Sequence, residues 1–236
     1  MTRFLLPALA AVLVLSACDS ADPDPQPVPL TPSIVTDLVA DPTAGRNPTT
    51  GAPIQTGRFT LYSLRENRVV LSYTEADAAV RQRDSASTAW DIGFQGQRII
   101  FNGGTSGPGS AAAQLVEATF GEVTEAPADG YLADGANAAC SSGFVLCPVS
   151  GQGWYTYVPF SADPNDGGFL SPRAGRTIVL RNADGATYSK VRITSYYQGG
   201  LTDAQITPTS PSRYYSFEFI HQPDGSRNFQ TTTPQP

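Results

Sequence analysis

The sequence predicts an all-β fold, a single antiparallel β-sheet domain with at most one or two short helices. After residue 57 the chain consists of short segments rich in Thr, Tyr, Val, Ile and Phe, separated by clusters of Gly, Asn, Asp and Pro. That alternation is typical of strands and turns. No repeat or change of composition divides residues 57–230, so one domain is the simplest interpretation.

Eight segments have the composition of strands, namely 58–64, 68–73, 89–95, 97–103, 154–160, 176–182, 187–197 and 214–222. The Ala-Asp-Gly turn at 183–185 and the Pro-Asp-Gly turn at 223–225 each predict an antiparallel hairpin, because Asp starts such a turn and Gly accepts the positive φ. Residues 74–86 form the one predicted helix of any length, with Thr74 as its N-cap and Asp77 at the capping-box position.

The composition excludes several classes of chemistry. The 236 residues are 40% hydrophobic and 15% charged, so the chain can bury a core, and a formal net charge of −6 disfavours binding to nucleic acid. The only lysine, Lys190, lies in a strand-like segment, so neither a Walker A loop nor a Schiff-base site is expected. His221, Cys140 and Cys147 are too few ligands for a closed structural zinc site.

The first residues are typical of a lipoprotein signal peptide. A short segment containing Arg3 precedes an apolar run at 4–15 that is too short to span a bilayer. The sequence Leu-Ser-Ala-Cys at 15–18 then resembles the bacterial lipobox, so we expect residues 1–17 to be removed and Cys18 to be acylated. Several acyl chains would hold the protein on a membrane without spanning it. An ordinary secretory signal is the alternative.

Residues 18–56 are predicted to be the lipidated cysteine and a tether rich in Pro, Asp and Thr, because few of these residues are apolar and Pro-dense stretches are extended. We therefore expect a folded domain at 57–230 and a tail at 231–236. The aspartates within 19–24 resemble the acidic surface-export signals of some outer-membrane lipoproteins, and a solvated linker is the alternative.

Cys140 and Cys147 lie in one loop-like stretch. An exported protein meets oxidising conditions, so we predict a disulfide between them, with two free thiols as the alternative. Two other segments predict loops without a ligand. The glycine-rich residues 101–110 lack a lysine and predict a flexible loop rather than a phosphate cradle, and 163–167 predicts a turn rather than a calcium loop.

Several sequence blocks, in order over residues 57–230, resemble the HmuY family. They are Ala-Trp-Asp-Ile-Gly-Phe at 89–94, Arg-Ile-Ile-Phe-Asn-Gly-Gly at 98–104, Arg-Thr-Ile-Val-Leu-Arg at 176–181, Tyr-Ser-Lys-Val-Arg-Ile at 188–193 and the segment at 214–226, besides the lipobox. The resemblance implies an all-β, haem-binding lipoprotein exported to the outer membrane, on its surface or its periplasmic face. Such a haemophore captures haem and passes it to a TonB-dependent receptor.

The family's iron ligands cannot be carried over to this chain. The best-known members resemble one another in holding haem iron between two histidines, or in some cases two methionines, whereas this chain has neither residue type between Trp90 and Ile220. The remaining haem-binding candidates are Trp154, Tyr155, Tyr157 and His221, because iron accepts His or a Tyr phenolate and aromatic rings stack on porphyrin. A structural role in strands is the alternative for all four.

Two kinds of function follow. The first is capture of haem or a related porphyrin. The second is a lipoprotein on the same scaffold that binds another small apolar ligand or acts in adhesion. We expect no enzyme, with hydrolase activity as the remaining alternative, since no sequence spacing of carboxylates identifies a catalytic pair.

Overall fold

The computed structural model describes residues 27–50, 54–135 and 140–232. The predicted signal peptide and Cys18 lie outside these residues. In the described part of the chain, no helix has the length and apolarity needed to cross a membrane.

The described elements are, in chain order, β1 (Val28–Pro29), β2 (Ser33–Val39), β3 (Thr60–Ser63), β4 (Arg68–Leu71), α1 (Ala78–Ser85), β5 (Ile92–Gln95), β6 (Arg98–Phe101), β7 (Ala112–Val116), β8 (Tyr155–Pro159), β9 (Gly168–Pro172), β10 (Thr177–Arg181), β11 (Tyr188–Tyr197), β12 (Ser212–Gln222) and β13 (Thr231–Thr232). Short 3-10 helices lie at Pro164–Asp166 and Asp203–Gln205. The predicted all-β class is confirmed.

The strands pair antiparallel in more than the one sheet predicted. The larger sheet has the order β2-β12-β11-β10-β7 and the second has the order β4-β3-β5-β6, while β8-β9 and β1-β13 form two-stranded sheets. The apolar faces of the two large sheets cover each other: Phe94 stacks on Phe217 with ring centroids 5.4 Å apart, and Tyr62 meets Phe217 edge-on at 5.6 Å. A single sheet would leave that apolar face in water, which explains the division.

Much of the predicted tether is part of the fold, so that prediction is wrong for the described residues from 28 onward. β2 is the edge strand of the larger sheet and pairs with β12. Leu38 is 6% exposed and Ala40 is fully buried. The buried Asp41 carboxylate accepts hydrogen bonds from the Thr56 and Gly57 amides, at 2.9 and 2.7 Å. The prolines on either side of β2 favour a tether, but the β-branched and apolar residues between them have strand propensity and pair with the sheet.

Each of the eight predicted segments coincides with a strand, and the observed strands are up to three residues shorter at one or both ends, except β12, which begins two residues earlier than predicted. The 183–185 hairpin is confirmed, because β10 pairs with β11 across it. The 223–225 hairpin is wrong: the turn exists, but the chain beyond it pairs β13 with β1. Gln222 Nε2 instead donates to the carbonyls of Asn228 and Thr231, the latter at 2.8 Å. Residues 231 and 232 are thus sheet rather than tail.

The helix begins later than predicted. Asp77 is its N-cap, with Oδ1 accepting hydrogen bonds from the amides of Ala79 at 2.8 Å and Val80 at 3.3 Å. Thr74 Oγ1 instead lies 2.8 Å from Ser72 Oγ. A carboxylate at the N-cap also interacts favourably with the positive end of the helix dipole, which explains the later start.

The glycine-rich segment 101–110 is a loop after Phe101, as predicted, and part of it packs closely against neighbouring backbone. Asn102 is fully buried; its Oδ1 accepts a hydrogen bond from Gly109 N at 2.9 Å and its Nδ2 donates to Trp90 O at 2.8 Å. A Cβ atom at Gly103 would lie 2.0 Å from the Ala111 carbonyl oxygen. The glycines allow close approach of backbone to backbone.

The structure does not contain the predicted Cys140–Cys147 disulfide, and both residues are free cysteines. Cys140 Sγ is engaged within its own turn, 2.7 Å from Ser142 Oγ and 3.2 Å from Phe144 O. Cys147 is 6% exposed in the segment that follows. The two sulfurs therefore have separate surroundings. The turn predicted at 163–167 is confirmed as a 3-10 helix capped by Asp163.

Candidate ligand-binding site

His221 lies on β12, directly opposite Ser189 of β11. Its Nδ1 is 3.2 Å from Asn182 Nδ2 and 3.3 Å from Ser189 Oγ. Because the amide nitrogen can only donate, Nδ1 accepts this bond and the ring proton belongs on Nε2. Burial lowers the pKa of His221, with the charge of Asp91 opposing it, and a hydrogen bond to the backbone of Tyr188 also favours the charged form. The ring is held as a neutral, hydrogen-bonded member of the sheet.

Trp154 and Tyr155 lie in the main core. Trp154 is 3% exposed, its Nε1 donates to Gln97 O at 2.9 Å, and its ring is 5.3 Å from that of Tyr215. The hydroxyl of Tyr155 donates to Pro148 O at 2.9 Å. Burial raises the pKa of Tyr155, so formation of the phenolate that iron would need is disfavoured.

Tyr157 is the exposed member of the four, with 46% of its surface accessible. The four candidate side chains do not lie around one common site. His221 lies six positions beyond Tyr215 on extended β12, and Tyr215 contacts Trp154. Such a stretch spans roughly 20 Å. The described residues contain no group of three or more His, Cys, Asp or Glu side chains that could hold a metal ion.

A groove of about 410 Å³ lies between β9 and β11. It forms because β10 pairs with β11 only as far as Ile178 and Val191, so β11 continues beyond its neighbour. β9 approaches the end of β11 instead, and Leu170 N donates to the Tyr197 hydroxyl at 3.0 Å. The space between these strands is lined largely by polar side chains.

Three arginines line this groove. Arg173 Nη1 donates to Gly153 O at 3.0 Å and is in no ion pair in the described part of the chain. The other two each pair with an acidic side chain: Arg176 with Glu117 at 2.6 Å, and Arg192 with Glu218 at 2.7 Å. Each guanidinium has five N–H donors, so donors remain for a carboxylate that enters the groove.

A small void of about 10 Å³ lies between the groove and the aromatic core. Arg173 and Arg176 line it together with Trp154 and Ile193. None of the four haem candidates lines the groove itself; Trp154 lines the small void behind Arg173 and Arg176. Sequence reasoning missed the arginines because they come from the loop before β10 and from the middle of β11. The spacing Arg-x-x-Arg around Gly175 was the one local signal.

Comparison with known proteins gives a family. A search of curated proteins found no match. A family model described as HmuY protein matches residues 56–209, which is more than half of the chain and runs from just before β3 to the loop before β12. The resemblance seen in the blocks at 89–104 and 176–193 is confirmed, and the chain belongs to the HmuY family.

Proposed function

We propose that this protein is an exported lipoprotein of the HmuY type that binds haem or a related porphyrin and passes it to a TonB-dependent outer-membrane receptor. Acylated Cys18 anchors it to the outer membrane in this proposal, and it acts as a binding protein rather than an enzyme. Membership of the HmuY family supports the proposal. The observation that carries it is the arginine-lined groove between β9 and β11.

The groove suits one edge of a porphyrin. Haem has two carboxylates on one edge of a flat apolar ring, and guanidinium groups are well suited to pair with carboxylates. In this proposal Arg173 and Arg176 pair with the carboxylates, and the ring contacts Ile193, which lines the groove. The propionate edge therefore supplies most of the recognition.

The iron plays a minor part in this form of binding. His221 lies far along β12, and the Tyr155 hydroxyl already donates to a backbone carbonyl. Neither brings an available ligand to the groove. Binding should be weaker than in relatives that hold iron between two histidines, because coordination bonds are missing from the complex. The same observation favours the second candidate, a HmuY-type scaffold whose groove takes another anionic or apolar ligand.

Replacing Arg173 with Gln should weaken haemin binding about tenfold, the loss of one charge-assisted contact of roughly 1.4 kcal/mol. Arg68→Gln is the matched control, since Arg68 lies on β4 of the other sheet and pairs with Glu66. Titration followed by haemin absorbance measures both. Equal haemin affinity of the Arg173→Gln variant and the wild type would show that haem does not bind in this groove.

Replacing Cys18 with Ser should release the protein from membranes. The variant lacks the acyl chains, which contribute about 0.8 kcal/mol per buried methylene. Fractionation of cells with labelled palmitate measures both anchoring and acylation. Cys140→Ser, which removes a cysteine of the folded domain, should remain in the membrane fraction. Retention of unlabelled Cys18→Ser protein in membranes would contradict lipid anchoring.

A further inference from the structure

A second cavity, of about 240 Å³, lies beside α1 on the outer face of the β4-β3-β5-β6 sheet. Its floor is apolar and consists of Leu61, Leu71, Trp90 and Ile100, which form a small cluster separate from the main core. Three of these belong to one row across the sheet: Leu61 pairs with Leu71 on one side and Gly93 on the other, and Gly93 pairs with Ile100.

The helix covers this floor without filling it. None of the residues of α1 is buried, and Arg81 and Ser85 are the helix residues that line the cavity. The absence of a side chain at Gly93 allows Leu61 and Ile100 to pack over it, since a Cβ there would lie 2.8 Å from Leu61 Cδ2 and 2.9 Å from Ile100 Cγ1. An apolar floor thus meets a mostly polar helix, and the space between them suits an apolar guest.

Two arginines stand at the rim of the cavity. Arg58 Nη1 and Arg81 Nη1 both donate to the carbonyl oxygen of Glu75, at 2.9 and 3.0 Å, and Arg81 Nη1 also donates to Ala76 O at 2.6 Å. Sharing one acceptor places the two nitrogens within about 6 Å of each other.

The acidic side chains of the same segment are engaged with backbone amides rather than with these two arginines. Neither guanidinium is in an ion pair within the described residues. The Glu75 carboxylate accepts a hydrogen bond from Asp77 N, and Asp77 caps the helix. Two neighbouring cations beside an apolar floor attract an anion that has an apolar body.

We propose that this cavity binds a small apolar monocarboxylate, with its alkyl chain on Leu61, Leu71 and Ile100 and its carboxylate between Arg58 and Arg81. The cavity is smaller than the about 300–1,000 Å³ of sites for drug-sized ligands, so a medium-chain fatty acid of about eight to ten carbons suits it. The site lies on a different sheet from the groove with Arg173, and it is independent of porphyrin capture.

Calorimetric titration with decanoate and with decan-1-ol tests the proposal. The wild type should bind decanoate saturably, about tenfold tighter than the alcohol of the same length, because the arginines recognise the charge. Arg81→Gln should lose this preference. Arg83→Gln is the matched control, since Arg83 lies on the same helix, is paired with Asp84 and does not line the cavity.

A second variant keeps the test independent of any effect of Arg81 on folding. Ser85 is exposed and lines the cavity, so Ser85→Phe should fill it and abolish binding of both probes without disturbing the core. No saturable decanoate binding by the wild type, or an unchanged acid-to-alcohol preference in Arg81→Gln, would overturn the proposal. Haemin titration of Ser85→Phe should match the wild type, which separates this site from the groove.

Discussion

Replacing Asp91 with Asn is expected to lower the free energy of unfolding by about 3–5 kcal/mol, the usual cost of breaking a buried charged network. Asp91 is fully buried. Its Oδ2 accepts a hydrogen bond from Leu64 N at 2.9 Å, and its Oδ1 accepts from Arg65 Nε at 2.9 Å and from Ala183 N at 3.0 Å.

This carboxylate joins the two large sheets. Leu64 and Arg65 follow β3 in the second sheet, whereas Ala183 follows β10 in the larger sheet. An Asn side chain has one acceptor oxygen and would turn an NH₂ group toward one set of donors. It would also leave the Arg65 guanidinium without its closest carboxylate, because Asp184 lies farther away at 3.9 Å.

Urea denaturation of the folded domain measures the effect. Glu66→Gln is the matched control, since Glu66 is 54% exposed at its side chain and pairs with Arg68 on the surface. Such surface pairs contribute about 0–1 kcal/mol. Should Asp91→Asn cost no more than Glu66→Gln, Asp91 would not connect the sheets energetically.

Replacing Lys190 with Met is expected to lower the free energy of unfolding by about 2–3 kcal/mol. Lys190 is 4% exposed, and its Nζ donates to Phe120 O at 2.6 Å and Val123 O at 2.8 Å. The ammonium also lies 4.3 Å from the centre of the Phe120 ring and 5.5 Å from that of Phe229. Burial lowers the pKa of Lys190, and the charge of Glu218 opposes it.

Met retains most of the apolar part of the side chain but leaves two buried carbonyls without a donor. The segment around Phe120 and Val123 should therefore loosen from β11 first. Hydrogen exchange of its amides, together with urea denaturation, measures both effects. Arg192→Met makes the same change of charge at a half-exposed position on β11 and should cost about 1 kcal/mol or less. Unchanged exchange around Phe120 in Lys190→Met would show that the ammonium does not hold this segment.

The sequence predicted the strands whose residues are β-branched or aromatic and missed those with weaker signals. β7 begins with alanines and β9 contains Gly and Pro, so neither has a strand composition, and pairing with β10 or β8 decides their structure. β2 lies between prolines, and their presence favours a tether over a strand in this segment. β13 pairs with β1, which lies more than 200 positions earlier in the chain. No local sequence pattern indicates that pairing.

The candidate site was less predictable than the fold. The aromatic residues at 154, 155 and 157 are candidates by composition, but alternation along β8 does not show that Trp154 and Tyr155 are both buried in the core. Alternation along β12 predicts that His221 shares a face with Tyr215, but it does not predict that the ring contacts Asn182 and Ser189. The arginine groove depends on where β10 stops pairing with β11, which is a property of tertiary structure.

Absorption titration of the purified soluble domain with haemin, in parallel with iron-free protoporphyrin IX, tests the central claim most directly. If the groove recognises the carboxylate edge and the iron has no protein ligand, both porphyrins should bind saturably with dissociation constants within about threefold, and haemin should remain high-spin. A low-spin, six-coordinate bis-imidazole spectrum from a verified monomer, or haemin binding far tighter than the iron-free porphyrin, would contradict the account.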